Sequence, residues 1–229
     1  MYACGYCHLP EGFGRTENAD LAGMPFEYLQ RQVQEMKSGA RKLVDARFVP
    51  GAYMLTAIRQ TSDADADDAV KYFSGLKYTK HVRVLEATNV PHFRANGYLY
   101  ISDHEGPTEA LGQRIIEGPD DVNAFEKRDP RTRFTAYVPV GSIARGAALA
   151  SGNRDAGQAC AICHGEGLKG GPLGPPIAGR FPTGLFRQLY AFQSGTRNGS
   201  QAILMKPIVT KLTQPEMIDL AAYVGSLEP

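Results

Sequence analysis

The stretch Cys160-Ala161-Ile162-Cys163-His164 has a counterpart near the start of the chain, Cys4-Gly5-Tyr6-Cys7-His8. Together they contain all four cysteines of the 229-residue chain. In each stretch the two thiols are separated by two residues, and a histidine follows the second thiol directly. The interpretation of the remaining sequence depends on the chemistry that this spacing serves.

Cys-x-x-Cys-His is the attachment sequence for c-type haem. Two thiols at this spacing can reach the two vinyl groups on one edge of a porphyrin, and the histidine is then held beneath the iron. The two motifs therefore predict two covalently attached haem c groups. The segment between residues 78 and 141 contains no cysteine, so it is not expected to carry a third.

The two motifs belong to an internal repeat. A shift of 156 residues places the first motif on the second, and also Ser38-Gly39-Ala40-Arg41 on Ser194-Gly195-Thr196-Arg197. Farther along, the offset falls to 151 and pairs Met54 with Met205. The change in offset predicts a five-residue insertion between Arg41 and Met54. One fold has therefore been used twice.

Each copy has the spacing of apolar residues that is typical of helices. In the first copy the pattern runs from Phe26 to Met36, and Gly39 follows at the position of a C-cap. The last helix of the second copy begins with a capping box from Thr213 to Glu216. Ser142 is predicted to cap a helix over 143–150. Its counterpart would precede residue 1, so the first copy is expected to lack an opening helix.

The sequence predicts a mainly α fold of two helical domains, 1–77 and 142–229. The segment 78–141 has no partner in either copy and contains five prolines. Its alternating stretches, such as 82–86 and 134–140, predict short strands. We therefore expect a proline-rich connector with short β-strands between the two domains.

Both domains resemble class I cytochrome c, and the tandem resembles the dihaem cytochromes of the cytochrome c4 type. The resemblance rests on the two attachment motifs, on the aligned methionines and on the loop Gly174-Pro175-Pro176. It covers about two thirds of the chain and does not include the connector, since that type has a short linker there.

The resemblance implies a role for each residue that matches the motifs of the family. Thioether bonds to the first and second haem are implied for Cys4 and Cys7 and for Cys160 and Cys163. The proximal ligands are implied to be His8 and His164, and the sixth ligands Met54 and Met205. A His ligand usually donates its second ring N–H to an acceptor. The Pro175 carbonyl is implied for His164, and the matching position in the first copy is Ala19.

Arg41 and Arg197 occupy equivalent positions in the two copies. A guanidinium presents planar paired donors that suit a haem propionate, so both are candidate cofactor-binding residues. The alternative is that each is a solvated arginine at a helix end.

Other interpretations are open for some of these residues. Paired Cys-x-x-Cys sequences also build zinc or dithiol sites, although neither explains the adjacent histidine. Met54 and Met205 could be packing residues of the core. His81, His92 and His104 are predicted to be surface or structural, and the minority hypothesis is that one replaces Met54 on the first iron.

Composition limits the possible functions. The net charge of +1 gives no overall attraction to nucleic acid. No apolar run approaches the roughly 18–20 residues that span a bilayer, so no transmembrane segment is predicted. By resemblance, haem of this type is attached outside the cytoplasm, and a periplasmic location is expected. No signal peptide is visible before Cys4.

A haem iron with His and Met ligands has no open position for a substrate. The resemblance therefore implies an electron carrier rather than an enzyme, with redox partners such as a dehydrogenase, another cytochrome or a terminal oxidase. Two alternatives are an electron-transfer subunit of a dehydrogenase complex and a dihaem peroxidase. A peroxidase would need one haem iron that can release its sixth ligand so that a substrate can bind, and the first haem is the candidate.

Overall fold

The structure is a computed structural model that describes residues 3–96, 99–102, 105–152 and 159–229, with Leu99 described in its backbone only. Within these ranges the chain forms ten α-helices and seven short strands, so the mainly α prediction is confirmed. The helices are α1 Cys4–His8, α2 Phe26–Ser38, α3 Val49–Gln60, α4 Asp63–Ser74, α5 Val122–Glu126, α6 Ser142–Ala150, α7 Ala161–His164, α8 Pro182–Gln193, α9 Ala202–Val209 and α10 Gln214–Ser226. The strands are β1 Val82–Glu86, β2 Asn89–Pro91, β3 Phe93–Asn96, β4 Leu99–Ser102, β5 Thr108–Ala110, β6 Ile116–Pro119 and β7 Phe134–Val138. No helix of this part of the chain is long and apolar enough to cross a membrane.

The chain packs as two compact units. The first comprises Met1–Tyr78 and Arg187–Lys211, and the second comprises Thr79–Phe186 and Leu212–Pro229. The end of α8 and all of α9 therefore belong to the first unit. The division into 1–77, 78–141 and 142–229 was drawn from the repeat and remains a prediction, because a repeat and a packing unit need not share boundaries.

In the first unit, helices α2 and α4 enclose a core of Met24, Leu29, Val70 and Phe73. Helix α2 ends at Gly39, whose φ of 81° is the left-handed conformation that favours glycine. Helix α4 begins at Ser62, whose hydroxyl accepts the Asp65 backbone N–H at 3.1 Å. Local sequence signals therefore set both helix ends.

The connector forms a small mixed sheet in the second unit. Strand β7 lies in the middle, parallel to β1 and antiparallel to β6. One side chain cluster of this region contains Val82, Phe125, Phe134, Ala136 and Phe181, so the sheet packs against the loop that precedes α8. Two further pairs, β2 with β5 and β3 with β4, are antiparallel.

Helices α6 and α10 pack closely in the second unit. A Cβ atom at Gly146 of α6 would lie against the Asp219 backbone of α10, so only glycine allows this approach. Beside this crossing the Arg145 guanidinium donates to both carboxylate oxygens of Asp219, at 2.8 and 2.9 Å. Helix α10 begins with the predicted capping box of Thr213 and Glu216.

The prediction that Ser142 caps α6 is wrong. The N-cap residue is Gly141, and the Ile143 backbone N–H donates instead to the Glu86 carboxylate of β1 at 2.8 Å. Glu117 of β6 has the same role at α8, where it accepts the backbone N–H and the hydroxyl of Thr183. Carboxylates at helix N-termini are stabilised by the exposed N–H groups and the helix dipole. Connector strands thus cap two helices of the second copy.

Candidate haem centres

The first motif folds into the single helical turn α1, which ends at His8. His8 is buried, and its Nδ1 lies 2.7 Å from the Ala19 carbonyl oxygen. A carbonyl only accepts, so Nδ1 carries the proton and donates it. The other ring nitrogen, Nε2, is buried without a hydrogen-bond partner among the residues described. His8 is thus fixed in one tautomer with a free lone pair on Nε2.

Burial lowers the pKa of His8, and the hydrogen bond to Ala19 and the nearby Asp20 only partly oppose this effect. The neutral imidazole is therefore the favoured form. A histidine binds iron as the neutral imidazole, through a ring nitrogen that carries no proton. Both conditions are met at Nε2, so this histidine fits a proximal haem ligand.

The loop from Leu9 to Ala19 is shaped to present its last carbonyl to His8. Gly14 has φ of 67°, and a Cβ atom there would come within 2.6 Å of the backbone of Asn18 and Ala19. On the other side, the Phe73 ring of α4 packs edge-on to the imidazole with ring centroids 6.4 Å apart. The ring orientation of His8 is therefore fixed from two directions.

The second motif is built in the same way. His164 ends α7, and its Nδ1 lies 2.8 Å from the Pro175 carbonyl oxygen, the acceptor that the sequence predicts. A Cβ atom at Gly174 would come within 2.8 Å of this nitrogen, so the residue before Pro175 must be small. The two copies therefore hold their histidines by carbonyls at equivalent positions, Ala19 and Pro175.

No disulfide bond joins any two of the four cysteines. Cys4 is exposed, and Cys160 is half-buried against Leu168, Ala178 and Val224. Burial raises the pKa of the Cys160 thiol. No cluster of three or more His, Cys, Asp or Glu side chains in the described ranges could hold a metal ion, which gives no support to the zinc alternative.

The two candidate sixth ligands lie on helices. Met54 is half-buried in α3 of the first unit, and Met205 is half-buried in α9. Met24 and Met217, which the sequence assigns to packing, are buried at 7% and 0% exposure. The half-buried state of Met54 and Met205 is compatible with a side chain that reaches a cofactor. Their bonds to iron remain predictions.

Arg41 and Arg197 lie side by side in the first unit, joined by an isolated antiparallel bridge of their backbones. Arg41 donates to Gln32 at 2.8 Å and to Gln188 at 3.0 Å. Arg197 donates to the same two side chains at 2.8 and 2.9 Å, and to the hydroxyl of Tyr28. Arg197 is 6% exposed, so it is not the solvated arginine of the alternative interpretation.

In the part of the chain that is described, neither guanidinium forms an ion pair with a carboxylate. Burial, followed by the charge of Arg197, lowers the pKa of Arg41 to about 10. Two adjacent positive charges, one buried and one half-buried, favour an anion nearby. The pairing of these arginines with haem propionates remains a hypothesis.

Two of the predicted alternative histidine ligands have other partners. His81 is buried, with its two ring nitrogens 2.6 and 3.1 Å from the carbonyl oxygens of Thr79 and Pro130. His92 pairs with Glu109 at 2.7 Å. His104 lies outside the described residues. His81 is therefore a structural histidine and His92 a surface one, in agreement with the prediction that these histidines are surface or structural.

Sequence reasoning missed the glutamines that bind both arginines. Gln32 and Gln188 are 156 residues apart, which is the repeat offset, so the signal was present in the alignment of the two copies. Neither residue type suggested chemistry by itself. It also missed the buried charged residues in the loop after His8.

Several known proteins are similar to this chain. Residues 147–224 match the family described as "Cytochrome C oxidase, cbb3-type, subunit III". Cytochrome c-554(548) of Halomonas halodenitrificans is 36% identical over 70 residues, which cover 30% of this chain and 84% of that protein. The chain belongs to the cytochrome c family.

Two relatives extend the similarity over both copies. Cytochrome c4 of Azotobacter vinelandii is 24% identical to this cytochrome. The aligned region includes 98% of this cytochrome and 84% of the Azotobacter protein. The thiosulfate dehydrogenase electron acceptor of Stutzerimonas stutzeri is also 24% identical, with 98% and 79% covered. This chain is accordingly a cytochrome c4-like dihaem protein with two covalently attached haem c groups, and it is an electron carrier.

Solved structures agree on the fold. Reduced recombinant cytochrome c4 from Pseudomonas stutzeri aligns with a TM-score of 0.63 at 21% identity, covering 98% of this cytochrome and 93% of that chain. The thiosulfate dehydrogenase TsdBA of Marichromatium purpuratum aligns with the same TM-score at 24% identity, and here 99% of this cytochrome covers 37% of that chain.

Proposed function

We propose that this dihaem cytochrome accepts single electrons from a dehydrogenase outside the cytoplasm and passes them to another cytochrome or a terminal oxidase. In each copy, thioether bonds to the two cysteines and a proximal histidine hold the haem. Met54 and Met205 complete the two ligand sets. The observation that carries this proposal is the buried Nε2 of His8, which is free to bind iron while Nδ1 is held by Ala19.

The haem supplies the electron-carrying iron, and the protein supplies a fixed environment. A soft, neutral thioether favours ferrous iron, and a His/Met pair raises the reduction potential. The proton on Nδ1 of each histidine stays on the hydrogen bond to Ala19 or Pro175 in both oxidation states. A haem held by the same residues in both oxidation states would need little reorganisation when it gains or loses an electron.

Ligation by the two methionines is tested by substitution with leucine, which conserves volume. We expect Met54→Leu and Met205→Leu each to remove about half of the weak near-infrared Met–iron band of the oxidised protein, since each copy supplies one ligand. Met36→Leu, a half-buried residue of α2, is the control and should leave the band intact. A full band in Met54→Leu would contradict the assignment of the first iron.

The choice of a dehydrogenase as donor rests on two relatives whose names contain thiosulfate dehydrogenase. The test is stopped-flow reduction of the oxidised dihaem protein by a thiosulfate dehydrogenase in the presence of thiosulfate. Reduction of both haems within the turnover time of the enzyme is expected. If other dehydrogenases reduce the protein and the thiosulfate dehydrogenase does not, the choice of thiosulfate dehydrogenase as the donor is wrong.

A second candidate function is that of a dedicated subunit of a dehydrogenase complex. It is favoured by TsdBA, of which this chain matches 37%. Purification from the native source distinguishes the two, because a subunit copurifies with its catalytic partner in fixed ratio. A freely diffusing carrier elutes alone.

A further inference from the structure

The loop after His8 contains a group of charged residues that the second copy lacks. At the repeat offset of 156, the residues Glu11, Arg15, Glu17 and Asp20 correspond to Gly167, Gly171, Leu173 and Pro176. In the first copy Arg15, Glu17 and Asp20 are all buried. Burying a charged side chain is costly unless it is paired and hydrogen-bonded. The group is therefore a feature of the first centre alone.

Glu17 is a member of this group that a hydrogen-bonded side chain links to the haem attachment motif. Its side chain is 6% exposed, and its ion pair with Arg15 is long, with 3.6 Å between Nη1 and Oε1. The second oxygen, Oε2, is buried without a hydrogen-bond partner among the described residues. Oε2 is therefore the oxygen of Glu17 that can accept a proton without breaking a hydrogen bond to a described residue.

Glu17 is connected to the haem attachment motif through one side chain. With its amide NH2 turned towards both acceptors, Asn18 donates to Glu17 Oε1 and to the Cys7 carbonyl oxygen, each at 3.2 Å. Two residues farther along, the Ala19 carbonyl accepts from His8. The Asn18 side chain therefore links the Glu17 carboxylate directly to the backbone of Cys7 in the attachment motif.

The surrounding charges do not fully offset the effect of burial on the pKa of Glu17. Burial raises the pKa of Glu17, and its own backbone N–H and the guanidiniums of Arg15 and Arg187 only partly oppose this effect. Glu11 and Asp20 are two further carboxyl groups in the same loop.

We propose that Glu17 takes up one proton when the haem on Cys4 and Cys7 takes up one electron, and releases the proton when that haem is oxidised. This inference rests on the proposed attachment of a haem at this motif. Ferric haem carries one positive charge more than ferrous haem, and the extra charge disfavours the proton on a nearby buried carboxyl. The electron comes from the redox partner and the proton from water, and the O–H bond formed at Oε2 is the one that breaks on oxidation.

Coupling between two sites is reciprocal, so the proton must also influence the electron. The midpoint potential of the first haem should fall as pH rises, by up to about 59 mV for each tenfold change in proton activity. The second copy has Leu173 in the place of Glu17, and its haem should show no such slope. The two haems of one chain would then respond differently to pH.

The test is a spectroelectrochemical titration of the full-length dihaem protein from acid to neutral pH. We expect two reduction steps, of which one depends on pH in the wild type. Glu17→Gln should abolish that dependence, because glutamine cannot exchange a proton. Glu27→Gln, which removes the same charge from an exposed position in the first turn of α2, is the matched control and should retain it.

Two pH-independent steps in the wild type, or a pH-dependent step that persists in Glu17→Gln, would overturn the proposal. If Glu17→Gln does not fold, the reduced-minus-oxidised infrared difference spectrum of the wild type replaces it. That spectrum must show a protonated carboxyl band that appears on reduction and shifts in heavy water, and its absence also overturns the proposal.

These outcomes are separate from those for the proposed function. A protein that carries two haems and accepts electrons from the dehydrogenase, with both steps independent of pH, contradicts only the proton coupling. A protein with the pH-dependent step that no dehydrogenase reduces contradicts only the proposed donor.

Discussion

Each proximal histidine is oriented by a single backbone carbonyl, supplied by Ala19 in one copy and by Pro175 in the other. The hydrogen-bond distances, 2.7 and 2.8 Å, are nearly equal. Because the acceptor is a backbone atom, the residue type at that position affects the rigidity of the loop more than the hydrogen bond itself. In the second copy the residue that packs tightly against the imidazole of His164 is Gly174, one position before Pro175.

Gly174→Ala should disturb the second centre. The added Cβ would come within 2.8 Å of Nδ1 and 2.9 Å of Cε1 of His164, so the imidazole must move and its bond to iron must lengthen or tilt. We expect one of the two midpoint potentials to shift and the other to stay, as measured by spectroelectrochemistry. Gly184→Ala is the control, since a Cβ there meets only Phe181 at 3.8 Å. Unchanged potentials in Gly174→Ala would contradict the tight fit.

Glu17 should also make the stability of the protein depend on pH. Its folded-state pKa is raised above the ordinary value of 4.5, so the folded chain binds the proton more tightly than the unfolded chain. The stabilisation is present at low pH and is lost as pH rises through the folded-state pKa. Relative to Glu17→Gln, the wild type should therefore lose thermal stability on going from acid to neutral pH. A constant difference in Tm would argue against a raised pKa, and Glu27→Gln again serves as the control.

At the scale of elements, the connector supports the second copy through its carboxylates. Glu86 of β1 accepts from the first turn of α6, and Glu117 of β6 accepts from the first turn of α8. Glu117 is 2% exposed, so its loss would remove a buried acceptor from the first turn of α8. The sheet therefore does more than join two domains.

Glu117→Gln should destabilise the protein by about 1–2 kcal/mol, in the range measured for the loss of a helix cap. The amide replaces one acceptor oxygen by a donor, and the Thr183 hydroxyl or backbone N–H loses its partner. The measurement is urea unfolding of the haem-loaded protein, followed by far-ultraviolet circular dichroism. The control is Glu105→Gln, an exposed residue of the same connector. Equal midpoints for both variants would show that the cap contributes little.

Elements with local signals were predictable from sequence, and those that depend on distant partners were not. The ends of α2, α4 and α10 follow from Gly39, Ser62 and the Thr213 capping box, which act within one turn. The parallel pairing of β1 with β7 joins residues about fifty positions apart, and alternation alone does not specify a partner. The cap of α6 was misassigned for the same reason, because its acceptor comes from a strand rather than from Ser142.

At the scale of the whole molecule, the two copies of the repeat meet with approximate two-fold symmetry inside the first unit. The Lys42 N–H donates to the Thr196 carbonyl, and the Asn198 N–H donates to the Ala40 carbonyl. Lys42 and Asn198 are 156 residues apart, as are Ala40 and Thr196, so the two hydrogen bonds are equivalent under the repeat. The two arginines and two glutamines extend the same symmetry to their side chains.

Gln32→Ala and Gln188→Ala should therefore destabilise the protein by similar amounts. Each glutamine accepts from both Arg41 and Arg197, so each substitution leaves two guanidinium donors without partners, at a cost of about 1–3 kcal/mol. Urea unfolding provides the measurement, and Gln34→Ala on the exposed side of α2 is the control. Strongly unequal losses would show that the symmetry of the contacts does not extend to their energies.

The shared use of Gln32 and Gln188 has a genetic consequence. Because each glutamine serves an arginine from its own copy and one from the other, neither copy can change at this point without affecting its duplicate. A defect introduced at Gln32 should be open to suppression by second mutations near residue 188, in the opposite half of the gene. Gln32 and Gln188 are therefore two positions at which the two halves of the gene must change together, although other paired residues of the repeat have diverged.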